Sequence, residues 1–359
     1  MDTLGVLAAI GNMFLSGIVA VIIKSQGKEL KPPALLVIQS LVSSIAFLIL
    51  IAIMRDFMLM FTISWKALLP LIFAALLGII FGNLLYFASL QMIGVSKAYP
   101  ISMTYPLLTY VLETAIFPEV TFEWLKMLGI ATVITGIVFI SLSKVNNDTT
   151  LNEEMTVEAS MLENPEELAE EKSPVEIRML EKPAISSVNI TEKNTWMKKR
   201  TVMGIILAAI ASTTWAGGTI LIRYGLEQTS VAIIPINAAR MAFLTPIATI
   251  IFLSMNRGKY KSKFTWKNVS FGALAAILGL VVANIIYLVA IERIGASTPA
   301  AIAASGPLVA TPLSIIFLKE KVDWKIILGT IFTISGIVMI IPVSYTHLRA
   351  HETVLDLVC

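Results

Sequence analysis

Seven polar residues set inside long apolar runs are the positions at which this chain could recognise or move a solute: Arg240 and Asn237, Asn83 and Tyr86, Asn284 and Tyr287, and Glu113. A charged side chain at the centre of a membrane helix costs about 2.5–3.5 kcal/mol on insertion scales, so it needs a partner or a wet cavity. Arg240 sits in SVAIIPINAARMAFLTPIATIIFL, with Asn237 three residues earlier and hence on nearly the same helical face. A guanidinium there suits a carboxylate, a phosphate or a sugar-linked anion. The alternative is an arginine that holds carbonyls at a helix break or snorkels to the membrane surface. Asn83 with Tyr86, and Asn284 with Tyr287, are spaced i, i+3, so each amide and phenol project from one face. They would bond a solute from two sides or tie helices together, a contact worth about 0.6 kcal/mol on average in a membrane. Glu113 is the one acid well inside an apolar run of the N-terminal half. A buried carboxyl there suits proton coupling. Phe117 follows four residues later, so the alternative is an interfacial acid facing lipid headgroups.

Residue usage closes off most other chemistries. The only cysteine is Cys359 and the only histidines are His347 and His351, all within the last thirteen residues. Zinc sites, thiol–imidazole pairs, histidine relays and disulfides are therefore unsupported in the body of the chain, and no metal, cofactor or catalytic residue is expected. An integral-membrane enzyme would need carboxylates, histidine or cysteine brought together near an interface, and no such cluster is written here. The net charge is only +3, with basic residues in short clusters between apolar runs, so nucleic acid is not an expected partner.

The elements that must position these residues are membrane helices. Of 359 residues, 57% are hydrophobic and 14% charged, and mean hydropathy is +0.83. A helix that crosses a bilayer needs about 20 mostly apolar residues. Such segments fall at 4–23, 34–54, 67–90, 97–117 and 125–143, then at 202–222, 231–255, 269–291, 297–318 and 325–343. The first lacks a basic leader, which does not fit a cleaved signal peptide. Residues 145–200 are rich in Glu, Asn, Ser and Thr and read as a flexible acidic linker, with a short helix conceivable over 164–171. The tail 344–359, containing SYTHLRAHETVLDLVC, resembles translated adapter read-through and is set aside as non-native.

The two sets of five segments are copies. Gly78, Asn83, Tyr86, Gly94 and Pro106 match Gly279, Asn284, Tyr287, Gly295 and Pro307 at a constant spacing of 201. Trp124, Gly129 and TGIV match Trp324, Gly329 and SGIV at 200, and VLAAI ending at Ile10 matches ILAAI ending at Ile210. Because five is odd, a copy that begins on one side of the membrane ends on the other, and the second copy runs upside down. Inverted repeats with a midplane site between them are a common build of secondary transporters. The expected fold is all-α and integral to the membrane, ten transmembrane helices in two inverted five-helix repeats, 1–144 and 201–343.

The stretch SGPLVATPLSIIFLKEKVDWKIILGTIFTISGIVMI, Ser305 to Ile340, resembles the end of an EamA-type unit of the drug/metabolite transporter superfamily. It carries a mid-helix proline, small residues, a glutamate before the next helix, then tryptophan and spaced glycines. TYPLLTYVLETAIFPEVTFEWLKMLGIATVITGIVFI repeats a weaker version, and AARMAF around Arg240 is similar to an arginine context of that family. The resemblance implies a ten-helix carrier with a central cavity that exports or exchanges small metabolites without hydrolysing ATP. The long acidic linker departs from the usual short connection.

Lysine and arginine bias sets an expected orientation, since basic loops stay in the cytoplasm. Lys24, Lys28, Lys31, Lys97, the 257–267 cluster, Lys319, Lys321, Lys325 and the linker ends lie on one side. Arg55, Lys66, Lys126, Arg223 and Arg293 lie on the other, which puts both termini outside. The resemblance implies the reverse. Pro106, Pro235, Pro246, Pro307 and Pro312 would kink spans. Gly78 with Gly82, Gly217 with Gly218 and Gly329 with Gly336 would mark close helix contacts, and Trp124, Trp196, Trp266 and Trp324 would anchor span ends. The expected function is a multi-pass cell-membrane carrier of small organic solutes working by alternating access, with Arg240, Asn237 and both Asn/Tyr pairs at the solute and Glu113 coupling a proton. The alternative is a non-transporting sensor or scaffold that recruits a partner through the linker. The lipid bilayer and a small-molecule solute are the expected partners.

Overall fold

The computed structural model describes residues 2–26, 32–55, 57–93, 101–141, 188–255, 264–318 and 324–356, with Leu30, Ala98 and Ser262 as isolated positions. The acidic linker before residue 188, including the helix expected over 164–171, lies outside the described residues. The described residues form helices and turns and no strand. The first unit contains α1 (Thr3–Gln26), α2 (Pro32–Met54), α3 (Trp65–Ala75), α4 (Asn83–Ile93), α5 (Tyr105–Ile116) and α6 (Trp124–Ser141). The second contains α7 (Val188–Glu227), α8 (Ile233–Met255), α9 (Trp266–Ala275), α10 (Asn284–Ile294), α11 (Ser297–Ala304), α12 (Pro307–Leu318) and α13 (Trp324–Asp356).

Among the described residues, six stretches are long and apolar enough to cross a membrane: Thr3–Ile23, Pro32–Met54, Trp65–Ser89, Lys199–Glu227, Ile233–Met255 and Trp266–Ile294. Trp124–Ile140 and Trp324–Ile340 are shorter apolar helices. The fourth segment of each unit, expected as one span, is broken. Ser305 and Gly306 form a turn between α11 and α12, and Met103 and Thr104 form the matching turn before α5. Pro307 and Pro106 sit in the first turns that follow. A proline lacks the N–H a continuing helix would use and is accommodated in the first turn of a helix, so the chain restarts there.

The third segment of each unit carries a feature that hydropathy does not reveal. Residues Leu76–Gly82 join α3 to α4 as a π segment, and Ala276–Ala283 join α9 to α10 in the same way. A π turn widens the helix by one residue and re-aims every side chain after it. Asn83 and Asn284 are the first residues beyond the two segments, so both Asn/Tyr faces are oriented by this local rewinding.

The units pack by exchange. Helix α1 lies on α9 and α10 of the other unit and α7 lies on α3 and α4, while α2 faces α8 and α6 faces α13. In the last pair a Cβ placed on Gly136 would stand 2.5 Å from the Gly329 carbonyl, and one on Gly336 would stand 2.6 Å from the Gly129 carbonyl. Since the earlier glycine of one helix meets the later glycine of the other, α6 and α13 run antiparallel. The contacts are reciprocal, which places a twofold relation across the helices and makes the repeats inverted. Between α2 and α8, Ser44 Oγ donates to the Met241 carbonyl (3.3 Å), Thr245 Oγ1 donates to the Ser40 carbonyl (3.1 Å), and the two hydroxyls meet at 2.7 Å.

Glycine did not mark close packing everywhere it was expected. Gly329, Gly336 and Gly82 leave no room for a Cβ, whereas nothing lies within 4 Å of one on Gly78 or Gly217. Trp124, Trp266 and Trp324 begin helices with exposed indoles, as span-end anchors do. Helix α7 starts at Val188, well before the apolar run expected from residue 202, and α13 continues to Asp356 through the tail.

Candidate functional site

Arg240 is buried in α8 with 1% of its surface exposed. Its Nε donates to the Leu71 carbonyl (3.2 Å), and its Nη1 donates to Asn237 Oδ1 (2.8 Å) and to Asn284 Oδ1 (3.4 Å). The three acceptors come from both units: Leu71 from α3, Asn237 from α8 itself, and Asn284 from the first turn of α10. All are neutral oxygens, and no carboxylate pairs with Arg240 among the described residues. The Asn237 Nδ2 is buried beside it without a hydrogen-bond partner. The result is a concentration of donors and unbalanced positive charge at the junction of the repeats.

One turn beyond Asn284, the Tyr287 hydroxyl lies 3.5 Å from Thr219 Oγ1 and also bonds the hydroxyl of Tyr105. Tyr105 in turn donates to the Ala300 carbonyl (3.0 Å) in α11. Trp215 of α7 stands between Tyr105 and Tyr86, with ring centroids 5.9 and 5.4 Å away. Its Nε1 donates to the carbonyl of Gly78 (3.1 Å), within the π segment. The indole from the other unit thus ties the π segment of the first repeat to α7. The chain of contacts thus runs from Arg240 through Asn284 and Tyr287 to Tyr105, Trp215 and Tyr86.

Arg240, Asn237 and Asn284 are brought into direct contact, Tyr287 adjoins them, and Tyr86 joins through Trp215. Asn83 lies one turn from Tyr86, partly buried. The two Asn/Tyr pairs do not share equivalent surroundings: Asn284 meets an arginine whose counterpart at the spacing of 201 is Gln39. Tyr105, Trp215 and Thr219 escaped the sequence reading. Trp215 alone carried a signal, an indole in mid-span rather than at a span end.

Glu113 lies in a second polar cluster near the other end of α5, and at 1% exposure it does not face headgroups. Its Oε1 accepts from Arg223 Nη1 (2.8 Å) and from the Ala296 N–H. Its Oε2 accepts from the Ser297 N–H (3.2 Å) and the Ser297 hydroxyl, with Lys126 Nζ 4.0 Å away. The carboxylate therefore caps α11 from another helix, where the N–H groups and the helix dipole favour negative charge. Gly295 permits the approach: its φ is 77°, and a Cβ there would fall 2.8 Å from Glu113 Oε1. Arg223 reaches further to Glu119 (2.7 Å) and Glu227 (2.8 Å), and its guanidinium lies 4.0 Å from the centre of the Phe117 ring.

Asp2 and Arg293 form an ion pair at 3.0 Å on the same face. Burial pushes the Asp2 carboxyl up, but the Gly5 N–H and Arg293 outweigh it and hold the group below its ordinary 3.8. No gathering of three or more His, Cys, Asp or Glu side chains that would hold a metal occurs among the described residues.

No curated protein matches the chain. A solved crystal structure is similar over 95% of this chain and 98% of its own length, with a TM-score of 0.68 at 12% identity, a likeness of fold alone. The profile of the EamA-like transporter family matches twice, over residues 3–142 and 202–341, the same two units that the glycine contacts relate by a twofold. The chain belongs to the EamA-like transporter family, within the drug/metabolite transporter superfamily.

Proposed function

We propose that this multi-pass membrane protein is a ten-helix secondary carrier of the cell membrane. It moves small organic solutes bearing a carboxylate or another anionic group by alternating access around a site between the repeats. The observation that carries this reading is Arg240, a buried cation answered only by neutral oxygens at the contact of α3, α8 and α10. A fixed positive charge in a low-dielectric interior is costly alone and strongly attractive to an anion that comes to lie beside it. The unpartnered Asn237 amide adds a second donor at the same place. Asn83, Tyr86, Asn284 and Tyr287 would bind the rest of the solute, and the rings of Trp215 and Tyr105 would shape its apolar side.

Glu113 is the proposed proton-coupling residue. A proton taken up there would cancel the charge that holds Arg223 and α11, so protonation and opening would be linked. An acidic-solute, neutral-solute and amine panel, read by thermal shift on purified protein, tests the solute class, because a ligand that binds the native state raises its melting temperature. Acidic solutes should stabilise the protein and the same solutes should move into liposomes. Stabilisation by amines alone would sink the assignment of Arg240. Uptake that ignores an imposed proton gradient would remove the coupling role of Glu113.

A further inference from the structure

We propose that the ion pairs at the face where α1 begins form a one-sided latch between the repeats, which must break before the solute site opens to that face. This rests on the alternating-access reading. Among the described residues, three ion pairs cross from one repeat to the other there: Glu113 to Arg223 at 2.8 Å, Glu119 to Arg223 at 2.7 Å, and Asp2 to Arg293 at 3.0 Å. Together they tie the start of α1 and the end of α5 to the ends of α7 and α10. The Glu113 carboxylate also holds the first N–H groups of α11, so the broken fourth segment of the second repeat is fastened by the fourth segment of the first.

The inverted relation makes the asymmetry visible. At the spacings of the repeat, the counterparts of Glu113, Lys126 and Arg223 on the opposite face are Ser314, Ile326 and Ile23. Those of Asp2 and Arg293 are Val202 and Met92. None is charged. A twofold carrier without such differences would open to either face at equal cost. The ion pairs named above all lie on this one face, and the unloaded protein rests closed on it.

The latch is tested by distance. In the full chain with Cys359→Ser, which removes the only native cysteine, spin labels at Leu125→Cys and Gln228→Cys report the gap across this face in lipid nanodiscs. Both positions are exposed and lie at the start of α6 and just after α7. The parent protein should show one short distance. Glu113→Gln should add a longer one, raising the ratio of open to closed protein by about tenfold or more, as the loss of a charge-assisted hydrogen bond implies. The rim variant Asp2→Asn with Arg293→Gln removes an exposed pair without disturbing the interior and should shift the ratio in the same direction by a smaller factor. If Glu113→Gln does not purify folded, the rim variant decides. Unchanged distances in every folded variant would overturn the latch. The readout involves no solute: lengthened distances without any measurable flux would keep the latch and defeat the carrier reading, while flux with unchanged distances would do the reverse.

Discussion

Replacing Arg240 with methionine separates a docking charge from a structural strut. The substitution removes bonds of 3.2, 2.8 and 3.4 Å to Leu71, Asn237 and Asn284 while keeping a long, flexible side chain in the same space. At about 0.6 kcal/mol per membrane hydrogen bond, the loss is roughly 2 kcal/mol. The variant also relieves an insertion penalty of about 2.5–3.5 kcal/mol for a central arginine. The two nearly offset, so the fold should persist with a melting temperature within about 4 °C of the parent. An anionic solute, in contrast, loses a charge-assisted contact worth about 1.5–3 kcal/mol, which is about ten- to a hundredfold in affinity. Thermal unfolding with and without an acidic solute, together with uptake into liposomes, reads both quantities. A variant that unfolds far below the parent would identify Arg240 as a strut. A variant that binds and transports as the parent does would refute the site.

Further outcomes follow from the geometry. Gly295→Ala forces a side chain onto a φ of 77° and a Cβ 2.8 Å from Glu113 Oε1, and should cost about 1–3 kcal/mol by thermal unfolding, while Gly78→Ala, with open space around it, should be close to neutral. Gly329→Ala places a Cβ 2.6 Å from the Gly136 carbonyl and 2.8 Å from the Ile140 nitrogen, so α6 and α13 must separate, at about 1–3 kcal/mol. Because the folded Asp2 carboxyl is held below 3.8, its contribution is present above that value and lost as pH falls through the lower folded one. Asp2→Asn should therefore be less stable than the parent at neutral pH, and the difference should vanish in strong acid.

Much of this architecture can be read from one sequence because membrane helices announce themselves by length and apolarity, and because the chain repeats itself. The i, i+3 spacing of Asn237 and Arg240 corresponds to a bond of 2.8 Å in the structure. The breaks before Pro106 and Pro307 were half legible, since proline marks a restart without saying where the previous helix stops. The π segments were not legible: an extra residue in a turn leaves hydropathy unchanged, and only the glycines Gly78, Gly82 and Gly279 mark the place. Nor could the partners of Glu113 be found, as Arg223 stands 110 residues away in sequence and read as a topology signal. Helix α7 begins early in NITEKNTWMKK, whose lysines and glutamate are good helix formers but carry no apolar period.

The contact of α2 with α8 has a mechanical meaning that the ion pairs lack. A twofold operation that exchanges the repeats sends Ser44 to Thr245 and Ser40 to Met241, so it carries this hydrogen-bonded knot onto itself. In a carrier whose two end states are approximate exchanges of the repeats, whatever lies on the axis keeps the same neighbours in both. On the proposed alternating-access reading, the Ser44 and Thr245 hydroxyls would be a fulcrum, a bearing that turns without being remade, and the work of each stroke would be confined to contacts far from it.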